Sequence, residues 1–255
     1  MIWLGMALAA VTALVLGLSR FATLSENWGA TAEEVAATLP GDEWLDDGPP
    51  VRVRMTRAVQ IEVPAEQVWP WIAQMGRGAG WYSYDRLDNG GRDSARHIVT
   101  WVPEPRPGDA TTIGYLRHLE PGRELAWWIG GTRFLASRFR GVMLYRVTGD
   151  ADRCRLLVRI QSDIAGPIAR FAGWLFRSID GFMARRQMVG IRQRAERYGD
   201  RSEDDERPET GARDQYQLYQ VIYASGVQAG VPGRSDAVEW RRAAVADGVV
   251  EPLPF

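Results

Sequence analysis

The first sharp signal along the chain is an alternation of two faces. From Arg52 to Val63, Val53, Met55, Val59, Ile61 and Val63 fall on one face, and Arg52, Arg54, Thr56, Gln60 and Glu62 on the other. Period-two alternation predicts a half-buried strand. Arg57 is the exception, a charged residue on the apolar side. Immediately after it the period changes. Val68, Trp71, Ile72 and Met75 recur at helical spacing, and Pro64 stands where a missing N–H is tolerated. Pro70 lies inside this pattern, so a kink or a break into two short turns is expected. A glycine-rich loop, Gly76 to Gly80, then leads to Trp81, Tyr82 and Tyr84, read as an aromatic hairpin with Asp85 and Asn89 as its cap and turn residues.

Further strands are expected at 97–102, 111–119, 124–129, 138–148 and 153–163, separated by Pro- and Gly-containing breaks such as Pro121-Gly122 and Gly130-Gly131. A long helix is expected over 165–198, with an apolar stripe of Ile168, Phe171, Leu175, Ile179, Phe182 and Met183 and a plausible bend near Gly181. Arg192, Arg194 and Arg197 crowd its end and read as a solvated face. Repeated strands followed by one long helix define an α+β layer architecture.

Two motifs sharpen this. The strand running into V-P-A-E-Q-V-W-P-W-I-A-Q-M-G and then G-W-Y-S-Y-D-R-L-D-N, together with M-A-R-R-Q-M-V-G-I-R-Q-R-A-E-R at 183–197, resembles the polyketide cyclase/dehydrase-like branch of the START-related SRPBCC superfamily. The resemblance covers roughly 50–198. It implies a helix-grip fold, a curved antiparallel sheet wrapped on a long C-terminal helix with a cavity between. It implies no shared catalytic residue, so function must be argued from the site.

Outside that region the chain changes character. Ile2 to Leu18 carries no charge, and with Phe21 to Leu24 it approaches the ~20 residues that cross a bilayer as helix. An anchor over 1–24 is favoured above a cleavable signal peptide, because no Lys or Arg precedes the apolar run. Arg20 follows the span, which favours a cytosolic soluble domain. Residues 25–50 read as a connector with one short helix capped by Thr31, 51–199 as the ligand-binding domain, 200–215 as a disordered linker, and 216–255 as a helical extension, a possible site for a protein partner.

Composition narrows the chemistry. A net charge of −1 gives no general attraction to nucleic acid. All 31 basic residues are arginine, which excludes lysine Schiff bases and P-loops. The single cysteine, Cys154, excludes an intrachain disulfide and reads as a small strand residue. No cofactor is called for, and the two histidines show no metal-ligand spacing. Eleven tryptophans suit a pocket for a bulky apolar molecule, although core and membrane-interface positions account for most tryptophans. The residues expected to line the pocket are Trp71, Trp81, Tyr82, Tyr84, Trp101, Trp127, Phe171 and Leu175. His97 oriented by Asp85 is the candidate pair for proton abstraction. Three functions stay open: a membrane-anchored binder of a hydrophobic small molecule or lipid; a cyclase, dehydratase or isomerase of polyketide-like or aromatic substrates; and an interaction module with a vestigial cavity.

Overall fold

A computed structural model describes residues 2–45, 51–111, 113–134 and 136–198. The expected linker at 200–215 and helical extension at 216–255 lie outside the described residues. The order of elements is α1 (Ile2–Glu26), α2 (Ala32–Ala36), a 3-10 turn (Asp42–Leu45), β1 (Val51–Ile61), α3 (Ala65–Gln74), α4 (Asp85–Asp88), β2 (Tyr115–Glu120), β3 (Glu124–Phe134), β4 (Ser137–Gly149), β5 (Cys154–Ala165) and α5 (Ala169–Tyr198). The strands form one curved antiparallel sheet in the order β1-β5-β4-β3-β2, with α5 and α3 against one face. This is the expected helix-grip arrangement.

α5 approaches the sheet through small residues. Ala169, Ala172 and Gly173 are buried, and a Cβ on Gly173 would stand 3.3 Å from Ile164 and Val51. The close approach turns the larger residues outward. Ile168, Phe171, Ile179 and Phe182 are exposed, Phe171 by 53%. The apolar stripe seen in the sequence therefore does not grip the sheet. Its neighbour is α1. Trp174 Nε1 donates to Ser19 Oγ (2.9 Å), Phe21 and Phe182 stack with centroids 3.9 Å apart, and Arg177 pairs with Glu26 (2.6 Å). Gly181 leaves room for Ser25 in this contact, so its missing side chain serves packing, and α5 runs as one helix through it. Only the last turns of α1 dock. From Trp3 to Gly17 the helix is exposed, and Trp3–Glu26 is long and apolar enough to cross a membrane.

The segment after α1 is strapped to the sheet's other face. Thr31 caps α2 in a full capping box with Glu34. The orphan carbonyls at the end of this short helix are taken by Arg159, buried on β5, whose guanidinium donates to Glu34 O (2.6 Å), Val35 O (3.0 Å) and Ala37 O and pairs with Asp42 (2.9 Å). Leu39, Leu45 and Trp44 then pack on Ala126, Val142, Leu144 and Leu157. Both faces of the sheet are thus covered.

Arg57, the exception in the β1 alternation, is 1% exposed. Its Nε donates to Ser25 O near the end of α1 (2.6 Å), and its Nη1 pairs with Asp180 of α5 (2.6 Å). One side chain joins α1, β1 and α5.

Four local expectations are corrected. No break divides α3 at Pro70, because one missing N–H is outweighed by burial of Val68, Trp69, Trp71 and Ile72 in a single packed turn pair. Residues 97–102 form bends, turns and one isolated bridge position, Ile98, instead of a strand: Gln74 of α3 donates to His97 O (3.1 Å) and accepts from Val99 N (2.9 Å), taking backbone groups a neighbouring strand would pair. β2 begins at Tyr115; ahead of it only an isolated bridge, Ala110 to Tyr115, and a bond from Thr111 N–H to Gly114 O (2.8 Å) are formed among the described residues. The segment after Tyr84 is a helical turn, α4, with Asn89 N–H donating to Asp85 O (3.1 Å), and not a hairpin.

Replacing Arg57 with Ala leaves Asp180 half of a broken buried pair, and the expected cost is about 3–5 kcal/mol of unfolding free energy. Denaturant titration of the full-length protein measures it. Adding Asp180→Asn to Arg57→Ala should recover part of the loss, because the buried charge is then removed.

Candidate functional site

Between the sheet and α5 lies a cavity of about 570 Å³. Its walls come from four places. The glycine-rich loop supplies Gly76, Gly78, Gly80 and Trp81, α4 and its exit supply Leu87, Asp88, Asn89 and Arg92, the sheet side supplies Ile113, Ile129, Met143 and Ile160, and α5 supplies Phe176, Asp180, Met183, Ala184 and Gln187. The lining is mainly apolar with few polar groups, the usual composition of a small-molecule site.

The rim is held by an unusual backbone. Tyr82 is left-handed (φ 59°) although it is neither glycine nor asparagine. It persists because its surroundings fix it from every side. Its hydroxyl accepts from Gln74 Nε2 (2.8 Å), its backbone N–H donates to Ser94 Oγ (3.0 Å), Arg194 lies 4.7 Å from its ring centroid, and Gly190 lets α5 pass close to its carbonyl. Arg194 also donates to Ala95 O (2.8 Å), so this arginine clamps the rim and does not belong to a solvated face. Next to Tyr82, the Trp81 carbonyl accepts from Gln187 Nε2 (3.0 Å), and Tyr145 donates to Gln187 Oε1 (2.7 Å). Burial pushes the Tyr82 and Tyr145 hydroxyls far above the ordinary tyrosine range, so both remain protonated.

The residues singled out in the sequence fall in different places. Trp81 lines the cavity. Trp71, Tyr82 and Trp127 are fully or nearly buried in the core around it and are not lining residues. The Trp127-Trp128 pair divides as strand geometry requires, Trp127 into the main core and Trp128 against Trp44 on the far face. Trp101 and Leu175 are half-buried and outside the lining. Tyr84 and Phe171 are exposed, Phe171 because the small-residue face of α5 takes the sheet. Asp85 is engaged by Ser94, whose hydroxyl donates to Oδ1, and neither Asp85 nor His97 lines the cavity.

The titratable groups that do line it are Asp88, Arg92 and Asp180, and Asp88 differs from the other two. Its Oδ1 is buried and meets no hydrogen-bond donor. Burial, reinforced by the neighbouring charge of Asp85, outweighs the hydrogen bonds from Ser83 and the local backbone and raises its pKa to about 6. Asp180, also in the wall, is pushed up by burial and held back by Arg57. Sequence spacing marks Asp88 only as one of several polar residues near the loop. What distinguishes it is its place in the cavity wall while half-buried, which a one-turn helix leaves invisible to periodicity.

The fold and cavity define a ligand-binding helix-grip domain. The family model described as polyketide cyclase / dehydrase and lipid transport matches residues 52–196, and the chain belongs to that family. No curated protein matches the chain. Among solved structures, a Mesorhizobium loti protein is similar at 17% identity over 56% of this chain and 98% of its own, with a TM-score of 0.34. The di-domain ARO/CYC BexL from the BE-7585A biosynthetic pathway is similar at 15% identity over 61% of this chain and 53% of its own (TM-score 0.38). A Mycobacterium smegmatis protein is similar at 15% identity over 55% of this chain and 88% of its own (TM-score 0.34).

A carboxyl whose folded pKa lies above its unfolded value binds its proton more tightly when folded, so stability falls as pH rises from about 4 to about 6 and stays lower above that. Asp88→Asn lacks this penalty. Its melting temperature should exceed that of wild type by roughly 2–4 °C at pH 7.5, with the gap closing near pH 4. Thermal melts of both proteins across that range check the sign.

Proposed function

We propose that the domain binds a hydrophobic small molecule or lipid in the cavity, held at a membrane by α1. The observation that carries this reading is the cavity itself, about 570 Å³, walled by apolar side chains and entered beside exposed Leu87. The placement of α1 supports it. Its exposed part, Trp3 to Gly17, is roughly 22 Å of helix at ~1.5 Å per residue, most of the ~30 Å thickness of a bilayer's hydrocarbon core. The docked turns then lie at the interface, alongside the exposed Phe171 and Phe182 of α5, where apolar side chains lose no solvation by meeting lipid. With Arg20 following the span, the domain faces the cytosol.

A second reading has its own observation. The cavity holds a carboxyl, Asp88, whose pKa of about 6 suits proton transfer near neutrality, as a cyclase, dehydratase or isomerase of a polyketide-like or aromatic substrate requires. Under that reading Asp88, and not His97 with Asp85, is the acid–base group.

Ala184 is buried in the cavity wall on α5, and Ala184→Trp puts an indole where the cavity now is. Mass spectrometry of small molecules extracted from full-length protein should find a hydrophobic species with wild type and a loss of at least tenfold with Ala184→Trp. Equal recovery from both proteins overturns the cavity as the binding site. Protease treatment of oriented membrane vesicles should cut the domain only where the cytosolic side is exposed, and cleavage from the opposite side overturns the orientation.

A further inference from the structure

The contacts between α1 and α5 fix a direction. Glu26 and Ser25 meet Arg177 and Gly181, and Phe21, one turn nearer the N-terminus of α1, stacks on Phe182. Trp174, between these positions around the helix, reaches Ser19 with its indole (2.9 Å). At ~100° of rotation per residue, Arg177 and Gly181 stand beside the buried face of Ala169 and Gly173, whereas Phe182 belongs to the stripe of Ile168, Phe171, Leu175 and Ile179. α1 therefore crosses α5 from its sheet side to its stripe, and the exposed part of α1 continues in the direction the stripe faces. Ile168, Phe171, Ile179 and Phe182 are each at least 40% exposed. The stripe carries no carboxylate. On α1, and on α5 as far as Ile191, the two carboxylates are Glu26 and Asp180, paired with Arg177 and Arg57. Exposed Arg20 and Arg186 stand at its edges, one next to Phe21 and the other a turn beyond Phe182. On the flank away from α1, the segment carrying α4 packs on α5, with Ser83 Oγ donating to Met183 O (3.0 Å). Met183 lines the cavity, and the exposed residues of the lining, Leu87 and Gly90, lie on α4 and its exit.

We propose that the outer face of α5 is a second membrane contact, a surface fitted to a phospholipid bilayer. Ile168, Phe171, Ile179 and Phe182 are immersed in its interfacial layer, Arg20 and Arg186 reach lipid phosphates, and the cavity mouth at Leu87 stands at the lipid surface. The inference rests on the reading of α1 as a membrane span and adds an orientation to it. A single span leaves its own tilt and rotation open, and flanking contacts set them. A stripe on one side of the span selects one rotation and turns one side of the domain down. Large apolar side chains in line gain nothing from water, and in the interface their burial is favourable. A guanidinium at the edge keeps its charge with the phosphates while its stem lies on the apolar layer. A bilayer fits this face better than a second copy of the chain does, because the face is continuous with the span and points the same way.

The test is a depth measurement on full-length protein, one copy per phospholipid nanodisc. Single cysteines in a Cys154→Ser background, Phe171→Cys, Ile179→Cys, Leu87→Cys, Val11→Cys and Thr38→Cys, carry an environment-sensitive fluorophore, and nitroxide lipids quench those that touch lipid. Val11 lies in the apolar exposed part of α1 and reports its insertion, and exposed Thr38, on the strap across the far face of the sheet, reports the water side. The labels at Phe171, Ile179 and Leu87 should be quenched and that at Thr38 should not. Ile168→Asp with Phe182→Asp should lower the seated-to-lifted ratio read at Leu87 at least about tenfold, less than the burial of two large apolar side chains is worth. The Val11 label should stay quenched in that variant. Quenching at Val11 with none at Phe171 and Ile179 overturns the second contact and leaves α1 as an anchor. Stripe labels shielded from water yet unquenched by lipid place protein on that face and overturn it equally. Quenched stripe labels beside an unquenched Leu87 label overturn the placement of the mouth. No quenching at Val11 overturns the membrane reading itself.

Discussion

The buried pair between Arg57 and Asp180 sets the geometry of everything around it. A guanidinium taken out of water on the apolar face of a strand is unfavourable by several kcal/mol unless its donors are met. Here they are met by the Ser25 carbonyl and the Asp180 carboxylate. Hydrophobic contacts alone would tolerate sliding of α5 along the sheet by a fraction of a turn, because dispersion is not directional. An ion pair at 2.6 Å does not tolerate it. The pair therefore registers α5 against β1 and pins the end of α1 to both. Since Asp180 is also part of the cavity wall, the same contact fixes where that wall stands.

This contact was partly visible beforehand. Alternation along β1 is clear enough that Arg57 stands out as the residue that breaks it, and a charge on an apolar face calls for a partner. The partner itself, 123 residues away, follows from no local pattern. The sheet was legible wherever the period was sharp and blurred where side chains from elsewhere intervened. Gln74 takes the backbone groups of His97 and Val99, so a stretch of strand-like composition stays irregular. α5 shows the converse failure. Its large apolar residues marked a stripe correctly, but burial against the sheet went to Ala169, Ala172 and Gly173, because the close approach requires small side chains. Reading size as burial placed Phe171 inside when it lies outside. The family motif, by contrast, located the loop and Trp81 at the cavity.

The cavity is built by contrasts of the same kind. Its rim is over-determined, with Tyr82 held in a left-handed conformation by Gln74, Ser94 and Arg194. Its one unmatched group sits in a single helical turn between that rim and an exposed loop.

The way the chain leaves α1 has a mechanical consequence. Only a few residues separate Glu26 from α2, and α2 is gripped by Arg159 while α1 is gripped by α5. The domain is bracketed to its helix and has no leash. A shuttle that ferries cargo across a gap needs slack of tens of ångströms, and this attachment provides none. With α1 in a bilayer, the pocket stays at one height above it, and its traffic is restricted to molecules that arrive along that surface or are brought there by another protein.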